Sequence, residues 1–168
     1  MLIKFSITNF LSFNDKQCFS MEAGKARKNS KRIYRNKNIK LTKCEVIFGA
    51  NASGKSNLVE AFQFVKDMVV DGIPRGFTNK YFRQIPDNQF IPSSFKIELL
   101  LDNKHIVYEF SVLLKTGAIE EEHLYELTTS NQEKSIFYRN LKSSIFKAGD
   151  YFKNKNAVEK LDMYRSEE

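Results

Sequence analysis

The chain has 168 residues, of which 42% are hydrophobic, so its length suits one domain with a core of its own. Lysine and arginine outnumber aspartate and glutamate by 27 to 20, and this charge of +7 favours a polyanionic partner. No stretch approaches the roughly 20 apolar residues of a membrane span. The N-terminus lacks a signal-peptide layout, and the two cysteines show neither metal spacing nor a disulfide framework. We therefore expect a cytoplasmic protein with no membrane partner.

Residues 2–23 predict a pair of strands. Ile3, Phe5 and Ile7 alternate with other side chains, which is the period of a half-buried strand. A turn is expected near residues 12–15, and a second alternating run follows it.

Residues 24–43 form a basic stretch that contains nine lysines and arginines and no acidic residue. A contact surface for the phosphate backbone of DNA or RNA and a solvated basic loop are both compatible with this pattern. The only aromatic residue is Tyr34, which argues against a platform for base stacking. The candidate nucleic-acid contacts are Lys25, Arg27, Lys28, Lys31, Arg32 and Arg35.

Residues 49–56 read Gly-Ala-Asn-Ala-Ser-Gly-Lys-Ser and fit the phosphate-loop pattern G-x-x-x-x-G-K-[ST] at every fixed position. The apolar run 44–48 before the loop predicts a buried strand. Helical spacing after the loop predicts a helix with an apolar face formed by Leu58, Ala61, Phe62, Val65 and Val69. In a strand, loop and helix arrangement, backbone N–H groups and the helix dipole both point at a bound anion.

Each fixed residue of the loop has a chemical reason to be there. Gly49 and Gly54 allow backbone angles and close approaches that a Cβ would block. Lys55 is expected to bring its charge to the β- and γ-phosphates, and the hydroxyl of Ser56 is a candidate Mg²⁺ ligand because Mg²⁺ prefers hard oxygens. Asn51 and Ser53 are candidate additional hydrogen-bond donors to the phosphates. The alternative role of the Asn51 amide is to cap the turn.

The remainder of the chain predicts a linker, a meander and a tail. The linker 71–94 holds all three prolines, so we expect it to be irregular. Residues 95–139 predict an antiparallel meander. Within it, residues 120–122 are three glutamates, for which a solvated strand face is favoured over an acid–base pair. The tail 150–168 is highly charged and has weak helical spacing. The predicted strands of the meander are residues 95–101, 106–114, 119–128 and 136–139.

The position of the phosphate loop is informative. An apparent strand pair precedes it, and a meander follows its helix where a simple kinase would continue with βαβ units. This order resembles the ABC-type ATPase heads of the SMC and RecF class. Residues 7–13, Ile-Thr-Asn-Phe-Leu-Ser-Phe, are similar to the opening strand of that class, and residues 49–57 are similar to its G-x-N-x-S-G-K-S-N loop. The strands of residues 95–139 resemble a subgroup of bacterial ATP-binding proteins that includes abortive-infection and other phage-defence ATPases.

The resemblance implies an α/β fold: a P-loop lobe of ABC type over residues 1–149 with an antiparallel β-subdomain. It implies that ATP and Mg²⁺ bind at the loop, that Asn57 belongs to the loop, and that the turn carrying Phe13 lies near the adenine. Packing of Phe13 in the core is the alternative, because phenylalanine is usually buried. In such proteins two heads close head-to-tail on two nucleotides, so a homodimer that acts on an effector protein or a nucleic acid is expected.

The second half of an ABC-type head is not found in this sequence. No signature segment, switch histidine or Walker B strand ending in Asp-Glu is recognised, and Asp102 followed by Asn103 reads more directly as a hairpin turn. We therefore interpret the chain as an N-terminal lobe that is incomplete without a C-terminal half. It is expected to bind ATP without efficient turnover, and no catalytic residue is assigned. A non-hydrolysing regulatory module and a nucleic-acid-binding protein with a vestigial P-loop remain as alternatives.

Overall fold

The computed structural model describes residues 1–24, 30–36 and 39–149, and these form nine strands and one α-helix. The helix, α1, spans Lys55–Asp71, and short 3₁₀ turns occupy Ser30–Arg32 and Pro86–Phe90. The strands are β1 (Leu2–Thr8), β2 (Gln17–Ser20), β3 (Ile33–Asn36), β4 (Ile39–Thr42), β5 (Ser93–Leu101), β6 (Lys104–Leu113), β7 (Ala118–Leu127), β8 (Glu133–Asn140) and β9 (Ile145–Ala148).

Seven of the strands form one antiparallel sheet in the order β2-β1-β5-β6-β7-β8-β9. From β5 to β9 each strand pairs with the next one in the chain, which confirms the predicted meander and adds β9 to it. The pairing of β1 with β2 confirms the predicted strand pair. The pairing of β1 with β5 joins two distant parts of the chain. The phosphate loop and α1 belong to the long connection between these two strands.

The turn between β5 and β6 is a tight hairpin. Asp102 and Asn103 both have left-handed backbone angles, with φ of 46° and 65°. Two such residues in succession are typical of the type I′ turn that joins antiparallel strands. Asp102 is therefore a turn residue rather than the end of a Walker B strand.

Helix α1 packs one side against the sheet. Its buried residues are Ala61, Phe64, Val65 and Met68, and the Phe64 ring contacts the rings of Phe10, Phe77 and Phe95. The helix is therefore confirmed, but its buried face differs from the predicted one. Leu58 and Phe62 are only partly buried, and Val69 is exposed.

The opposite face of the sheet carries a small hairpin formed by β3 and β4. Leu41 is fully buried against Ile3 and Leu100, with Tyr34 and Ile39 packed around them. Part of the basic stretch 24–43 is thus an ordered hairpin rather than a loop. The remaining predictions for this stretch and for the tail 150–168 fall on residues 25–29, 37–38 and 150–168, outside the described residues.

Candidate phosphate-binding site

The loop 49–54 curls around the ammonium group of Lys55 at the start of α1. Lys55 Nζ donates hydrogen bonds to the carbonyl oxygens of Gly49 at 2.7 Å and Ala50 at 2.6 Å, and to Ser53 Oγ at 3.3 Å. The three protons of an ammonium allow all of these contacts. The positive charge therefore lies at the mouth of the loop, next to the N-terminal end of the helix.

Both glycines of the pattern lie where a Cβ would meet a neighbouring side chain. A Cβ on Gly49 would lie 2.6 Å from Ser53 Oγ, closer than non-bonded atoms approach. Gly54 has a φ of 90°, a left-handed backbone conformation that residues other than glycine rarely adopt. A Cβ there would lie 3.0 Å from Ser12 Oγ. Gly54 is therefore favoured by its backbone conformation, and a side chain at Gly49 would displace the Ser53 hydroxyl.

The turn after β1 contacts the loop directly. Ring atoms Cε1 and Cζ of Phe13 lie 3.9 Å from the Cβ position of Gly54, and Ser12 is closer still. Phe13 is partly buried and packs against the main hydrophobic core. The structure thus brings Phe13 next to the phosphate loop as well as against the core.

Sequence reasoning missed the role of Asn9, which fixes this turn. Asn9 is 2% exposed and its φ is 52°. Its Nδ2 donates to the carbonyl oxygens of Asn88 at 2.9 Å and Ile91 at 2.8 Å, while the backbone N–H of Phe82 donates to its Oδ1 at 3.1 Å. The amide therefore ties the linker to the end of β1. An asparagine in a turn between apolar residues was the available signal, because asparagine tolerates left-handed backbone angles.

The other candidate ligands lie around the loop with their side chains accessible. Asn51, Ser53 and Ser56 are exposed, and Asn57 is partly exposed. No acidic residue occupies the first turn of α1. The positive end of the helix dipole is therefore not neutralised by a neighbouring carboxylate in that turn, which suits an anion site.

The run before the loop is not the buried strand that the sequence predicts. Residues 44–50 form no strand, and the exposed fractions of Val46, Ile47 and Phe48 are 65%, 47% and 88%. A run that is apolar on both faces is typical of a strand with neighbours on each side. Among the described strands none pairs with residues 44–48, so the run lies in solvent.

Glu122 is not on a solvated face, contrary to expectation. It is 6% exposed, faces α1, and accepts hydrogen bonds from the Tyr108 hydroxyl and Arg139 Nε. Burial, together with this carboxylate, raises the pKa of Tyr108 well above its usual range, so the phenol remains a donor. Glu121 points to the opposite face and accepts from the Tyr138 hydroxyl at 2.6 Å. Glu122 is therefore held in an ion-paired structural cluster.

The basic candidates divide between described and undescribed parts of the chain. Lys31, Arg32 and Arg35 are exposed at the β3–β4 hairpin. Lys25, Arg27 and Lys28 lie outside the described residues.

A glycine loop closed around a lysine at the start of a helix is the phosphate site of P-loop ATPases of the AAA/ABC class. The chain is a member of this class, because residues 46–157 match the AbiEii toxin-like AAA domain family, described with type IV toxin–antitoxin systems. The match covers about two thirds of the sequence, so the chain belongs to this family. The family implies the use of a nucleotide, typically with Mg²⁺. A comparison with curated proteins gave no significant match. In the described part of the chain, no helix has the length and apolarity to cross a membrane.

Proposed function

We propose that this chain is the N-terminal lobe of an SMC/RecF-like ATPase head, and that it binds Mg-ATP at residues 49–57. The observation that carries the proposal is the position of Lys55 Nζ, which lies between two loop carbonyls at the N-terminus of α1. Phosphate oxygens are better partners for an ammonium than neutral carbonyls are. Bound nucleotide would therefore draw Lys55 outward, with Ser56 beside it as the Mg²⁺ ligand.

Accessible apolar side chains before the loop and along α1 support the assignment to one lobe of a larger head. Phe48 precedes the loop, and Val59, Val69 and Val70 lie on sides of α1 that the antiparallel sheet leaves exposed. We propose that a C-terminal half covers this surface with further strands and makes residues 44–48 a central strand. The lobe itself would comprise residues 1–149.

In the intact protein, two heads would close head-to-tail on two nucleotides, and closure would act on an effector or a nucleic acid. The abortive-infection context of the family supports a role in phage defence. Groups that activate water and stabilise the γ-phosphate would come from the C-terminal half and the opposing head. Glu122 offers no substitute, because its carboxylate is already bound by Tyr108 and Arg139.

Calorimetric titration with Mg-ATP tests the nucleotide site. Lys55→Ala is expected to weaken binding at least about tenfold, because it removes charge-assisted hydrogen bonds to the phosphates. Ser56→Ala should have a smaller effect, since Ser56 supplies one of several metal oxygens. Lys66→Ala is the matched control, because Lys66 is an exposed lysine on the same helix. Equal affinity in the parent and Lys55→Ala would contradict the site.

A phosphate-release assay tests the assignment to a lobe. The P-loop binds ground and transition states about equally, so this chain should turn ATP over at no more than a trace rate. Lys55-dependent turnover near ~1 s⁻¹, an ordinary enzyme rate, would place the catalytic groups within these 168 residues. Turnover that appears only when a C-terminal partner is added would distinguish the ATPase lobe from a non-hydrolysing regulatory module.

A further inference from the structure

The positive charge of this protein is concentrated in one segment. Residues 24–43 contain nine of the 27 lysines and arginines and none of the 20 acidic residues, so the rest of the chain carries a net charge of −2. The excess of positive over negative charge, which favours an extended polyanionic partner, therefore comes from this segment.

The ordered part of the segment places like charges side by side. Arg35 of β3 lies directly opposite Lys40 of β4 in the hairpin, and both side chains are exposed. Like charges at directly opposed positions destabilise an antiparallel pair. Arg32 and Lys43 are also exposed and lie at the other end of the hairpin, where the Lys43 N–H donates to the Arg32 carbonyl oxygen at 3.0 Å.

Carboxylates within the described residues do not compensate this charge. Lys4, Lys80 and Lys96 each form an ion pair elsewhere in the structure. The ion pairs in the described part of the chain include none of the hairpin cations Lys31, Arg32, Arg35, Lys40 and Lys43. The hairpin thus exposes neighbouring cations that repel each other. Such an arrangement is expected of a surface that binds an anionic ligand, because the ligand then supplies the missing negative charge.

The inner side of the hairpin makes this surface a fixed platform. Leu41 is fully buried on Ile3 and Leu100, and Tyr34 packs in the same cluster. Because the one aromatic ring of the hairpin is turned toward the sheet, it is not available to stack on an unpaired base. Recognition by this surface would rest on phosphates alone, and double-stranded nucleic acid presents two rows of them.

We propose that the β3–β4 hairpin binds the phosphate backbone of double-stranded nucleic acid without sequence preference. The site is separate from the phosphate loop and does not depend on nucleotide binding there. Arg35 and Lys40, which lie side by side on the outer face of the hairpin, supply the contacts in the described residues.

A labelled DNA duplex of mixed sequence, titrated with the full chain over a range of salt concentrations, tests the proposal. The variant Arg35→Gln/Lys40→Gln is expected to lose at least about tenfold in affinity, and the slope of log affinity against log salt should fall by about 2, since roughly one counterion is released per phosphate contact. Lys16→Gln/Arg75→Gln is the control, because it removes the same charge from two exposed positions elsewhere. The control should retain the parent slope, and an equal loss in both variants would overturn the proposal.

Competition experiments identify the ligand. Duplex DNA and duplex RNA share the proposed backbone chemistry, and competition by either supports the site. Tighter binding of single-stranded DNA of the same sequence would overturn the preference for duplex. Polyglutamate that competes as well as duplex would indicate an acidic protein partner instead and overturn the assignment to nucleic acid.

Two further measurements show whether a loss of duplex binding comes from unfolding of the variant or from the phosphate loop. The hairpin variant should melt at or above the parent temperature at low salt, because it removes a like-charge pair. Lys55→Ala should bind the duplex with the parent affinity. A loss of duplex binding in Lys55→Ala would show that the phosphate loop, not the hairpin, binds the backbone, and would overturn the proposal.

Discussion

The hydroxyl oxygen of Ser12 lies 3.0 Å from the position that a Cβ would occupy on Gly54. The turn after the first strand therefore closes against the second glycine of the phosphate loop. This contact couples two sequence motifs that are separated by about forty residues, and it gives Gly54 a packing role in addition to its conformational one.

Gly54→Ala is expected to lower the free energy of unfolding more than Gly76→Ala does. Both glycines have a φ of 90°, so alanine introduces backbone strain of about 1 kcal/mol in each variant. Only at Gly54 does the new Cβ also meet Ser12, since nothing lies within 4 Å of the corresponding position at Gly76. Thermal and urea unfolding measure the difference, and adding Ser12→Gly should reduce it. Identical losses in the two variants would mean that the contact with Ser12 is unimportant.

Phe64→Ala is expected to destabilise this chain strongly and Phe48→Ala hardly at all. Phe64 is fully buried in the core, so its truncation should cost about 3 to 5 kcal/mol. Phe48 is 88% exposed, and its truncation should change the free energy of unfolding by less than about 0.5 kcal/mol. Urea titration of both variants tests this. A large loss for Phe48→Ala would show that residues 44–48 are buried in the isolated chain.

Asn9→Asp is expected to destabilise the fold by at least about 2 kcal/mol near neutral pH. The substitution keeps the shape and the tolerance of left-handed angles, but it turns a carboxylate oxygen toward the carbonyl oxygens of Asn88 and Ile91. Asn103→Asp is the control, because Asn103 is exposed, also left-handed, and accepts a hydrogen bond from Asn36 that a carboxylate preserves. The deficit of Asn9→Asp should shrink in acid, where a protonated carboxyl regains a donor, and a pH-independent deficit would argue against this mechanism.

Glu98 is expected to contribute to stability above its unfolded pKa and to lose that contribution in acid. A hydrogen bond with His105 holds the pKa of Glu98 below its usual value of 4.5, although burial acts in the opposite direction. A carboxyl whose folded pKa is lowered stabilises the fold above the unfolded pKa, and this contribution disappears as the pH falls through the folded pKa. Glu98→Gln should therefore be less stable than the parent near neutral pH and approach it below about pH 4. Glu133→Gln, an exposed control, should follow the parent curve throughout.

Much of the fold was predictable because local patterns coincide with local structure. The alternation in β5 to β8 and the turn at Asp102 and Asn103 identify the meander, since each strand pairs with its neighbour in the chain. The phosphate loop and the start of α1 were predictable for the same reason, because the motif is contiguous. The hairpin of β3 and β4 was missed because the density of lysine and arginine obscured the inward-facing residues Tyr34, Ile39 and Leu41.

Burial was less predictable, because it depends on partners that a local pattern does not reveal. Residues 46–48 have the composition of a central strand but no neighbouring strand among those described. Glu122 looks like one member of a polar run, yet the twist and pairing of β7 turn it toward α1, where Arg139 of β8 balances its charge. The turn that carries Phe13 is fixed by Asn9, whose three side-chain hydrogen bonds all reach across more than 70 residues.

The pairing of β1 with β5 has a consequence for the order in which the protein assembles during synthesis. The first strand leaves the ribosome with β2, but the strand on its other side follows some 85 residues later. At roughly 5 to 20 residues per second, several seconds separate the two. The phosphate loop and α1 are made within this interval, and a single helix of 17 residues is only marginally stable by itself. The helix therefore acquires the sheet on which it packs only after β5 and β6 have emerged, so the proposed nucleotide site is expected to form late although its motif is synthesised early.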